Sequence, residues 1–416
     1  MYFDLNLFKY KMTIESKLFD SSQKNYMNLT NQKSKMERID VTMLTTGIIG
    51  IGNAGSQVAS LAVKNGIDAV VMNTSENDLA TIPDSVIKFP LGDLKGAGKN
   101  RDAAKVSLKE GIKAVLAKED FVKFMDHKDV VFVVSSTGGG TGSGIAPVLT
   151  QILKKMFPDT YVIIVGILPK LNEAYSTQVN TVAYLEELYK KLENPTYMLY
   201  DNEKLADIPV HLMMEQINQS IIDDIKILAG TYNYSTKYSS IDEKDMSMII
   251  STAGRIVLTS YRDIKEKDLD KASIDKTLVN NLKNGTHAEI QLDKIIKRFG
   301  LIVNLSSSMA NNFDIAIPEL QEFIGSPIEE FNHTCINEEK SLPNNVFFIG
   351  AGLSPITDRV VKINERIEEL DAAEKARQAD TDMFTVDVSE ANEKREYKQK
   401  SKDTSVDLLK IFDDFI

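Results

Sequence analysis

A run of glycines near position 140 is the part of the sequence most suited to chemistry. The segment SSTGGGTGSGIAP, residues 135–147, follows the apolar run DVVFVVSS and precedes a helical pattern. Five of the seven residues from 138 to 144 are glycine, and the hydroxyls of Thr141 and Ser143 lie among them. A flexible linker is the alternative, but a linker is rarely found between a buried strand and an amphipathic helix. The segment therefore predicts an anion-binding loop whose backbone N–H groups face a phosphate.

A second glycine cluster, GIIGIGNAG, also lies between a strand and a helix. Its glycines at 50, 52 and 55 are spaced as in a loop that holds phosphates at a helix N-terminus. A dinucleotide-binding site would require an acidic residue at the end of the next strand, where this sequence has Asn73. The cluster thus indicates a phosphate site and disfavours a dinucleotide-dependent oxidoreductase.

A third cluster, LKGAGKNR, contains Gly96, Gly98 and Lys99. It is not a Walker A loop, because Asp93 and Asn100 occupy the positions of its first glycine and its magnesium-binding hydroxyl. Two interpretations remain, a connecting loop and a lysine-bearing loop beside the phosphates.

The elements between these loops follow an alternating pattern. Short Val- and Ile-rich runs alternate with predicted helices over 56–64, 101–117 and 145–156. Continuous apolar strands separated by helices are typical of a parallel sheet covered on both faces. A long helix is predicted over 212–229, followed by a smaller mixed α/β unit from about 247 to 370 that ends in a helix over 363–370.

The composition limits the classes of function. The chain has 416 residues and a formal net charge of −11, so its surface is unsuited to DNA or to an anionic membrane. The single cysteine, Cys335, excludes an internal disulfide, and four histidines disfavour a histidine-based metal centre. The longest apolar runs are far shorter than the ~20 residues of a membrane span. We therefore expect a cytoplasmic protein without a membrane partner.

The glycine motifs together resemble those of the tubulin/FtsZ family. GGGTGSG is similar to the highly specific family signature GGGTG(T/S)G, and GIGNAG resembles the first phosphate loop of the family. NTSENDL resembles the NTDxQxL motif after the second strand, and GAGKN resembles the loop that senses the γ-phosphate. The matches occur in family order, and the resemblance extends over about 44–370.

The resemblance implies a GTP site with Mg²⁺. The phosphate-binding positions that it assigns are Gly52, Asn53, Ala54, Gly55, Thr74, Gly96, Ala97, Gly98, Lys99, Gly138, Gly139, Gly140, Thr141, Gly142, Ser143 and Gly144. Glu173 matches the ribose-contacting glutamate, Asn202 matches the asparagine of the guanine-contacting NDKL motif, and Asn218 matches a second base-contacting asparagine. Without the resemblance, these three would be read as loop, turn and helix-cap residues.

The resemblance also implies a catalytic loop. SIDEKD is similar to the NxDxxD loop of the family, which reaches the γ-phosphate of the next subunit in a head-to-tail filament. Asp242 and Asp245 would orient or polarise the attacking water, and no metal ligand from the protein is assigned. The alternative for both aspartates is a solvated turn in which either caps a helix.

In several departures from the division proteins, the sequence resembles most the TubZ branch of the family, the tubulin-like GTPases of plasmid and phage partition systems. The catalytic-loop asparagine is replaced by Ser240, and the segment after Glu173 lacks the arginine of the family. Lys99 in GAGKN and a polar N-terminal extension are two further differences from the division proteins. The alternatives are an FtsZ-like cell-division GTPase and, from another class, a dinucleotide-dependent oxidoreductase.

The C-terminal sequence VDLLKIFDDFI, residues 406–416, is a short amphipathic segment after a charged stretch. In a partition GTPase it would contact a DNA-binding adaptor, so that the chain moves DNA without binding it directly. The alternative is an end that is disordered or packs back on its own chain.

The predicted fold class is α/β, with a doubly wound, mostly parallel GTPase domain joined by a long central helix to a smaller mixed α/β domain. The predicted divisions are an N-terminal extension over 1–42 for which a helix is considered, a GTP-binding domain over 43–211, the central helix over 212–230, a second domain over 231–370 that includes the catalytic loop 239–246, and a largely disordered tail over 371–416.

Overall fold

The computed structural model describes residues 43–382, apart from 235, 237–238, 266–270, 291–295, 311–316, 326 and 338–342. The predicted N-terminal extension and the amphipathic segment 406–416 lie outside the described residues. The strands are β1 Thr46–Ile51, β2 Asp68–Asn73, β3 Ile87–Pro90, β4 Val130–Ser136, β5 Tyr161–Leu168, β6 Thr196–Asp201, β7 Gly254–Tyr261, β8 Arg298–Ser306, β9 Glu329–Asn337 and β10 Asn345–Leu353.

Helices connect most of these strands. They are α1 Gly52–Lys64, α2 Glu76–Ala80, α3 Arg101–Leu116, α4 Glu119–Met125, α5 Thr141–Met156, α6 Tyr175–Lys190, a 3₁₀ helix Asn202–Leu205, α7 Val210–Leu228, α8 Glu243–Ile250, α9 Lys271–Asn284, α10 Ser307–Ala310, α11 Pro318–Ile324 and α12 Asp358–Asp382.

The ten strands form one sheet in the order β3-β2-β1-β4-β5-β6-β7-β10-β8-β9. Strands β1 to β6 pair in parallel, and β7 joins β6 in parallel through only two residue pairs. Strand β10 runs antiparallel to both β7 and β8, whereas β8 and β9 are parallel. The predicted α/β class with a mostly parallel sheet is therefore confirmed.

The strand order reverses between β1 and β4. From β1 the chain proceeds outward through β2 and β3, and from β4 it proceeds in the opposite direction through β5 and β6. Ligands of open α/β sheets bind at the carboxyl ends of the strands where the order reverses. The motifs GIGNAG and GGGTGSG follow β1 and β4 directly, so they meet at this reversal point.

Apolar helix faces cover both sides of the sheet. Helices α1, α7 and α8 pack on one side, through side chains such as Val58, Ile217 and Ile249. Helices α3 to α6 pack on the other, through side chains such as Leu108 and Ile152. Burial on both sides explains why the strands β1, β2, β4 and β5 read as continuous apolar runs.

Helix α7 carries the chain from one edge of the sheet to the other. It follows β6 at the carboxyl edge, and its 19 residues correspond to about 28 Å at ~1.5 Å per residue. Just beyond its last turn, the carbonyl of Ala229 accepts a hydrogen bond of 3.3 Å from the N–H of Leu44, which precedes β1. The residues after α7 therefore lie at the amino edge, opposite the glycine loops.

Several boundaries differ from the sequence prediction. Helices α1 and α5 begin at Gly52 and Thr141, within the glycine motifs, because these residues turn directly from the strand into the helix. Helix α12 continues to Asp382, past the predicted start of the tail at 371. Alanine and glutamate in this part of the sequence favour a helix, and an ion pair of 2.6 Å between Asp371 and Lys375, one turn apart, stabilises it further. The helices within the described part of the chain include none with the length and hydropathy of a membrane span.

The loop that begins α8 is attached to the edge strand β9. The carbonyl of Ser239 accepts a hydrogen bond of 2.9 Å from the N–H of Thr334, and the N–H of Ile241 donates to Nδ1 of His333 at 3.3 Å. His333 is buried, and burial lowers the pKa of its imidazole because the charged form is poorly solvated there. Only the neutral ring can accept the hydrogen bond from Ile241.

This arrangement predicts a pH-dependent stability. The pKa of His333 is lowered in the folded state, so below the ordinary histidine pKa of about 6.5 the unfolded chain binds a proton more readily than the folded chain does. The contribution of His333 to the free energy of unfolding is therefore present above that pH and is lost as the pH falls below it. We expect His333→Asn, whose amide oxygen can accept the same bond without titrating, to reduce the loss of thermal stability between pH 7.5 and pH 5.5. The control is His127→Asn at an exposed histidine, which should behave as the wild type, and a pH response unchanged by His333→Asn would contradict the assignment.

Candidate functional site

The three glycine motifs converge at the reversal point of the sheet. Gly52 has a φ of +67°, and a Cβ atom placed on it would lie 3.1 Å from the backbone nitrogen of Gly142. A Cβ atom on Gly140 would lie 2.8 Å from Cα of Lys99. The first approach links the GIGNAG motif to the signature motif GGGTGSG, and the second links the signature motif to the GAGKN loop. One crevice is therefore lined by all three.

Two helices begin at this crevice without a side-chain cap. The residue before α1, Ile51, and the residue before α5, Gly140, make no capping hydrogen bond through a side chain, and neither helix has an acidic residue in its first turn. By contrast, α2 is capped by Ser75 and α3 by Asn100. The N–H groups that begin α1 and α5 are therefore open to an external anion, and both helix dipoles favour negative charge there.

Hydroxyl groups lie between these helix starts. Oγ1 of Thr74, the residue after β2, is 2.7 Å from Oγ1 of Thr141, the first residue of α5. Ser143 donates its hydroxyl to the carbonyl of Gly139 and so closes the signature loop on itself. The hydroxyls of Thr74 and Thr141 can donate hydrogen bonds to a phosphate or present their oxygens to a hydrated cation. The hydroxyl of Ser143 has a structural role instead.

The lysine of the GAGKN loop is held by helix α6. Lys99 has a φ of +62°, and its Nζ donates to Oγ1 of Thr177 at 2.7 Å. Nδ2 of Asn180 donates to the carbonyl of Lys99 at 2.9 Å and to those of Gly138 and Gly139 at 3.3 Å each. Helix α6 thus fixes the GAGKN loop against the signature loop. Thr177 and Asn180 were not predicted from the sequence, although both lie in the segment that lacks the arginine of the family.

A buried ionic cluster supports the first turn of α5. Arg101 donates to the carbonyl of Ser143 at 3.0 Å and pairs with Glu187, which also accepts from Lys105 at 2.8 Å. All three charged side chains are buried, and together they carry one net positive charge. A positive charge beside the phosphate loops favours an anionic ligand. No local sequence pattern predicts this cluster, because Glu187 is 86 residues from Arg101 and 82 residues from Lys105.

Two further predicted residues lie in loops at the carboxyl edge. Glu173, in the loop after β5, accepts a hydrogen bond of 2.9 Å from the N–H of Lys170. Asn202 begins the 3₁₀ helix directly after β6. The two loops are joined because a carboxylate oxygen of Glu203 accepts from the N–H of Leu171 at 2.7 Å. Asn218, the third predicted contact, lies partly buried on α7, which packs on α1 and on the 3₁₀ helix.

Asp242 and Asp245 form a reciprocal cap at the start of α8. Oδ1 of Asp242 accepts from the N–H of Asp245 at 2.9 Å, and Oδ2 of Asp245 accepts from the N–H of Asp242 at 3.2 Å. The capping alternative raised by the sequence is therefore present in the structure. Each carboxylate uses one oxygen in the cap, and Asp242 is exposed.

The acidic pair does not join the glycine loops within one chain. It follows α7 and lies at the amino edge of the sheet, whereas the glycine loops lie at the carboxyl edge. Among the described residues, no three His, Cys, Asp or Glu side chains are grouped so that they could hold a metal ion. A magnesium ion in the crevice would take its ligands from phosphate oxygens, water and hydroxyls such as those of Thr74 and Thr141.

Comparisons with known proteins agree with this geometry. Residues 45–209 match the family model described as "Tubulin/FtsZ family, GTPase domain". The tubulin-like protein CetZ of Pyrococcus abyssi is 26% identical over 61% of this chain and 70% of its own length. The tubulin-like protein TubZ of Clostridium botulinum C phage is 23% identical over 77% of this chain and 82% of its own length.

Among solved structures, the fold is similar to that of a GTPγS-form protofilament of TubZ from Bacillus thuringiensis serovar israelensis. The TM-score is 0.66 at 17% identity, over 81% of this chain and 94% of that chain. The glycine loops at the reversal point, the uncapped starts of α1 and α5 and the family match cover the same part of the chain. Residues 45–209 accordingly match the GTPase domain of the tubulin/FtsZ family.

Proposed function

We propose that this chain is a GTPase that assembles head to tail and hydrolyses GTP at the contact between subunits. The observation that carries the proposal is the separation of two parts of one catalytic centre. The glycine loops lie at the carboxyl edge of the sheet, and the acidic loop lies beyond the far end of α7, after about 28 Å of helix. A carboxylate so far away cannot act on the nucleotide of its own chain.

At the nucleotide end of the site, one group of residues would bind the phosphates of GTP and another would bind its guanosine. The N–H groups that begin α1 and α5, together with Lys99, would hold the phosphates, and Glu173, Asn202 and Asn218 would contact the guanosine. Amide side chains suit a base edge because they donate and accept at once. Magnesium, when bound, would offset the charge of the β- and γ-phosphates.

The acidic end of a second subunit would complete the site. Each carboxylate of Asp242 and Asp245 has one oxygen in the α8 cap, which leaves the other oxygen to orient a water molecule. A contact between opposite faces of identical subunits does not close on itself and therefore produces a filament. The TubZ protofilament in its GTPγS form is a precedent for such assembly in a protein of similar fold.

We further propose that the filament moves plasmid or phage DNA through an adaptor. Supports are the lysine in GAGKN, the replacement of the catalytic-loop asparagine by Ser240 and the similarity to a phage TubZ over 77% of the chain. The net charge of −11 favours a basic adaptor over direct contact with DNA. A role in cell division, the alternative, would not need a DNA-bound partner.

The role of Asp242 is tested by a substitution that keeps the cap. Asparagine caps helices as well as aspartate does, so Asp242→Asn removes the charge while preserving the start of α8. We expect the variant to sediment with GTP as the wild type does. Its rate of phosphate release should be at least about 100-fold lower than that of the wild type. Sedimentation with GTP and with GDP, read beside phosphate release, measures both properties.

Glu243→Gln is the matched control, because Glu243 is exposed in the same helical turn and takes no part in the cap. It should retain both assembly and hydrolysis. Phosphate release by Asp242→Asn at the wild-type rate would remove Asp242 from the mechanism.

The adaptor proposal is tested by deleting residues 406–416. We expect the deletion to abolish co-sedimentation of the filaments with a DNA-binding protein encoded beside this chain, because the apolar side chains of the segment would be lost. GTP hydrolysis should be unchanged. A deletion of the same length in the charged stretch, residues 389–399, serves as control, and undiminished adaptor binding by the 406–416 deletion would refute the role of the segment.

A further inference from the structure

The first turn of α12 is attached to the GTPase domain by one buried arginine. Nε of Arg359 donates to Oδ2 of Asp201 at 2.8 Å, and Nη2 donates to Oδ1 of Asp201 at 3.1 Å and to the carbonyl of Pro169 at 2.5 Å. Both charged side chains are only 4% exposed. One guanidinium therefore joins the ends of two neighbouring strands, β5 and β6.

These two strand ends begin the loops that carry the proposed guanosine contacts. Pro169 opens the loop that contains Glu173, and Asp201 directly precedes Asn202. Asp201 also accepts from the N–H of Glu203 at 3.0 Å, so its carboxylate orders the start of the 3₁₀ helix while it binds the arginine. A shift of Arg359 would change the spacing of both loops at once.

A second arginine on α12 contacts the same region. Nε of Arg366 donates to the carbonyl of Leu171 at 3.2 Å. Residues seven apart lie on one face of a helix, so Arg359 and Arg366 face the two loops together. The backbone N–H of Arg359 donates to Oε1 of Glu289 at 2.6 Å, which fixes the start of α12.

Stability alone does not account for a buried ion pair at this position. Burial raises the pKa of Asp201, and the attraction of Arg359 opposes this shift without cancelling it. A buried pair of this kind is often no better for stability than apolar side chains of similar size. A planar guanidinium does, however, hold several oxygen acceptors at fixed angles, which neither an apolar residue nor lysine can do.

We propose that Arg359 is a positioning residue for the guanosine half of the nucleotide site. It sets the distance between the loop of Glu173 and the loop of Asn202, so that ribose and base are recognised together. The inference rests on the proposed GTP site, and it assigns to α12 a part in nucleotide selection that is separate from the phosphate loops.

The test compares nucleotides that differ at a single group. Affinities of the full chain for GTP, inosine triphosphate and 2′-deoxy-GTP are measured for the wild type and for Arg359→Lys. Lysine keeps the charge but lacks the planar fork that holds both carboxylate oxygens of Asp201 and the carbonyl of Pro169 at fixed angles. We therefore expect GTP to bind about tenfold more weakly and the preference for GTP over the two analogues to shrink. A purely structural loss would weaken all three nucleotides by one factor and leave the preference unchanged.

Two more variants make the result decisive. Arg298→Lys, at a partly buried arginine that bonds Glu329 and Thr252 in the second half of the chain, should leave the preference intact. Arg366→Ala changes a side chain that is 34% exposed, so it provides an independent test if Arg359→Lys does not fold. We expect it to reduce the ratio of the affinity for GTP to the affinity for 2′-deoxy-GTP.

The outcomes separate this inference from the proposed function. A wild-type chain that does not bind GTP would contradict the function itself. A wild type that prefers GTP, with Arg359→Lys or Arg366→Ala showing the same preference, would overturn the positioning role alone. A wild type that binds all three nucleotides equally would overturn it as well.

Discussion

The close approach of three backbone loops is the constraint on which the rest of the structure depends. A Cβ atom on Gly55 would lie 2.1 Å from the carbonyl oxygen of Val134, and one on Gly140 would lie 2.8 Å from Cα of Lys99. Only glycine allows α1 to pack across β1 and β4 and the GAGKN loop to contact the signature loop. Because of this packing, the free N–H groups of α1 and α5 face one crevice, and the buried Arg101, Glu187 and Lys105 lie next to it.

The direction of the strands then determines where each part of the chemistry lies. Parallel strands bring all of the phosphate loops to the carboxyl edge, and α7 takes the chain to the amino edge before the acidic loop begins. At that edge, Asp242 and Asp245 of the acidic loop cap helix α8, and the N–H of Ile241 in the same loop donates a hydrogen bond to His333 on β9. Helix α12 returns to the carboxyl edge and contacts the loops after β5 and β6. One subunit thus carries the two halves of the proposed site on opposite edges.

The sequence predicts best the parts whose residue types have a local cause. Continuous Val and Ile runs predicted the parallel sheet, which the structure confirms. The glycine motifs predicted phosphate loops, and the structure brings these motifs together where the strand order reverses. Strand β9, with the polar sequence EEFNHTCIN, lies at the edge of the sheet, and its sequence lacks the apolar pattern that predicts a strand. Asn180 and Arg101 act through partners far away in the chain, so only the fold reveals them. Likewise, the attachment of α12 through Arg359 has no local signature.

Mixing two inactive variants tests the central claim, that the catalytic site forms between subunits. Thr141→Glu places a carboxylate at the start of α5, where it favours the helix and repels phosphate, while Asp242→Asn binds GTP and hydrolyses it about 100-fold more slowly than the wild type. Each variant alone should therefore release little phosphate. Their mixture should release it much faster, because Asp242 of the first variant can reach GTP held by the second. Phosphate release that does not rise at any mixing ratio, with Asp242→Asn still assembling, would contradict a site shared between subunits.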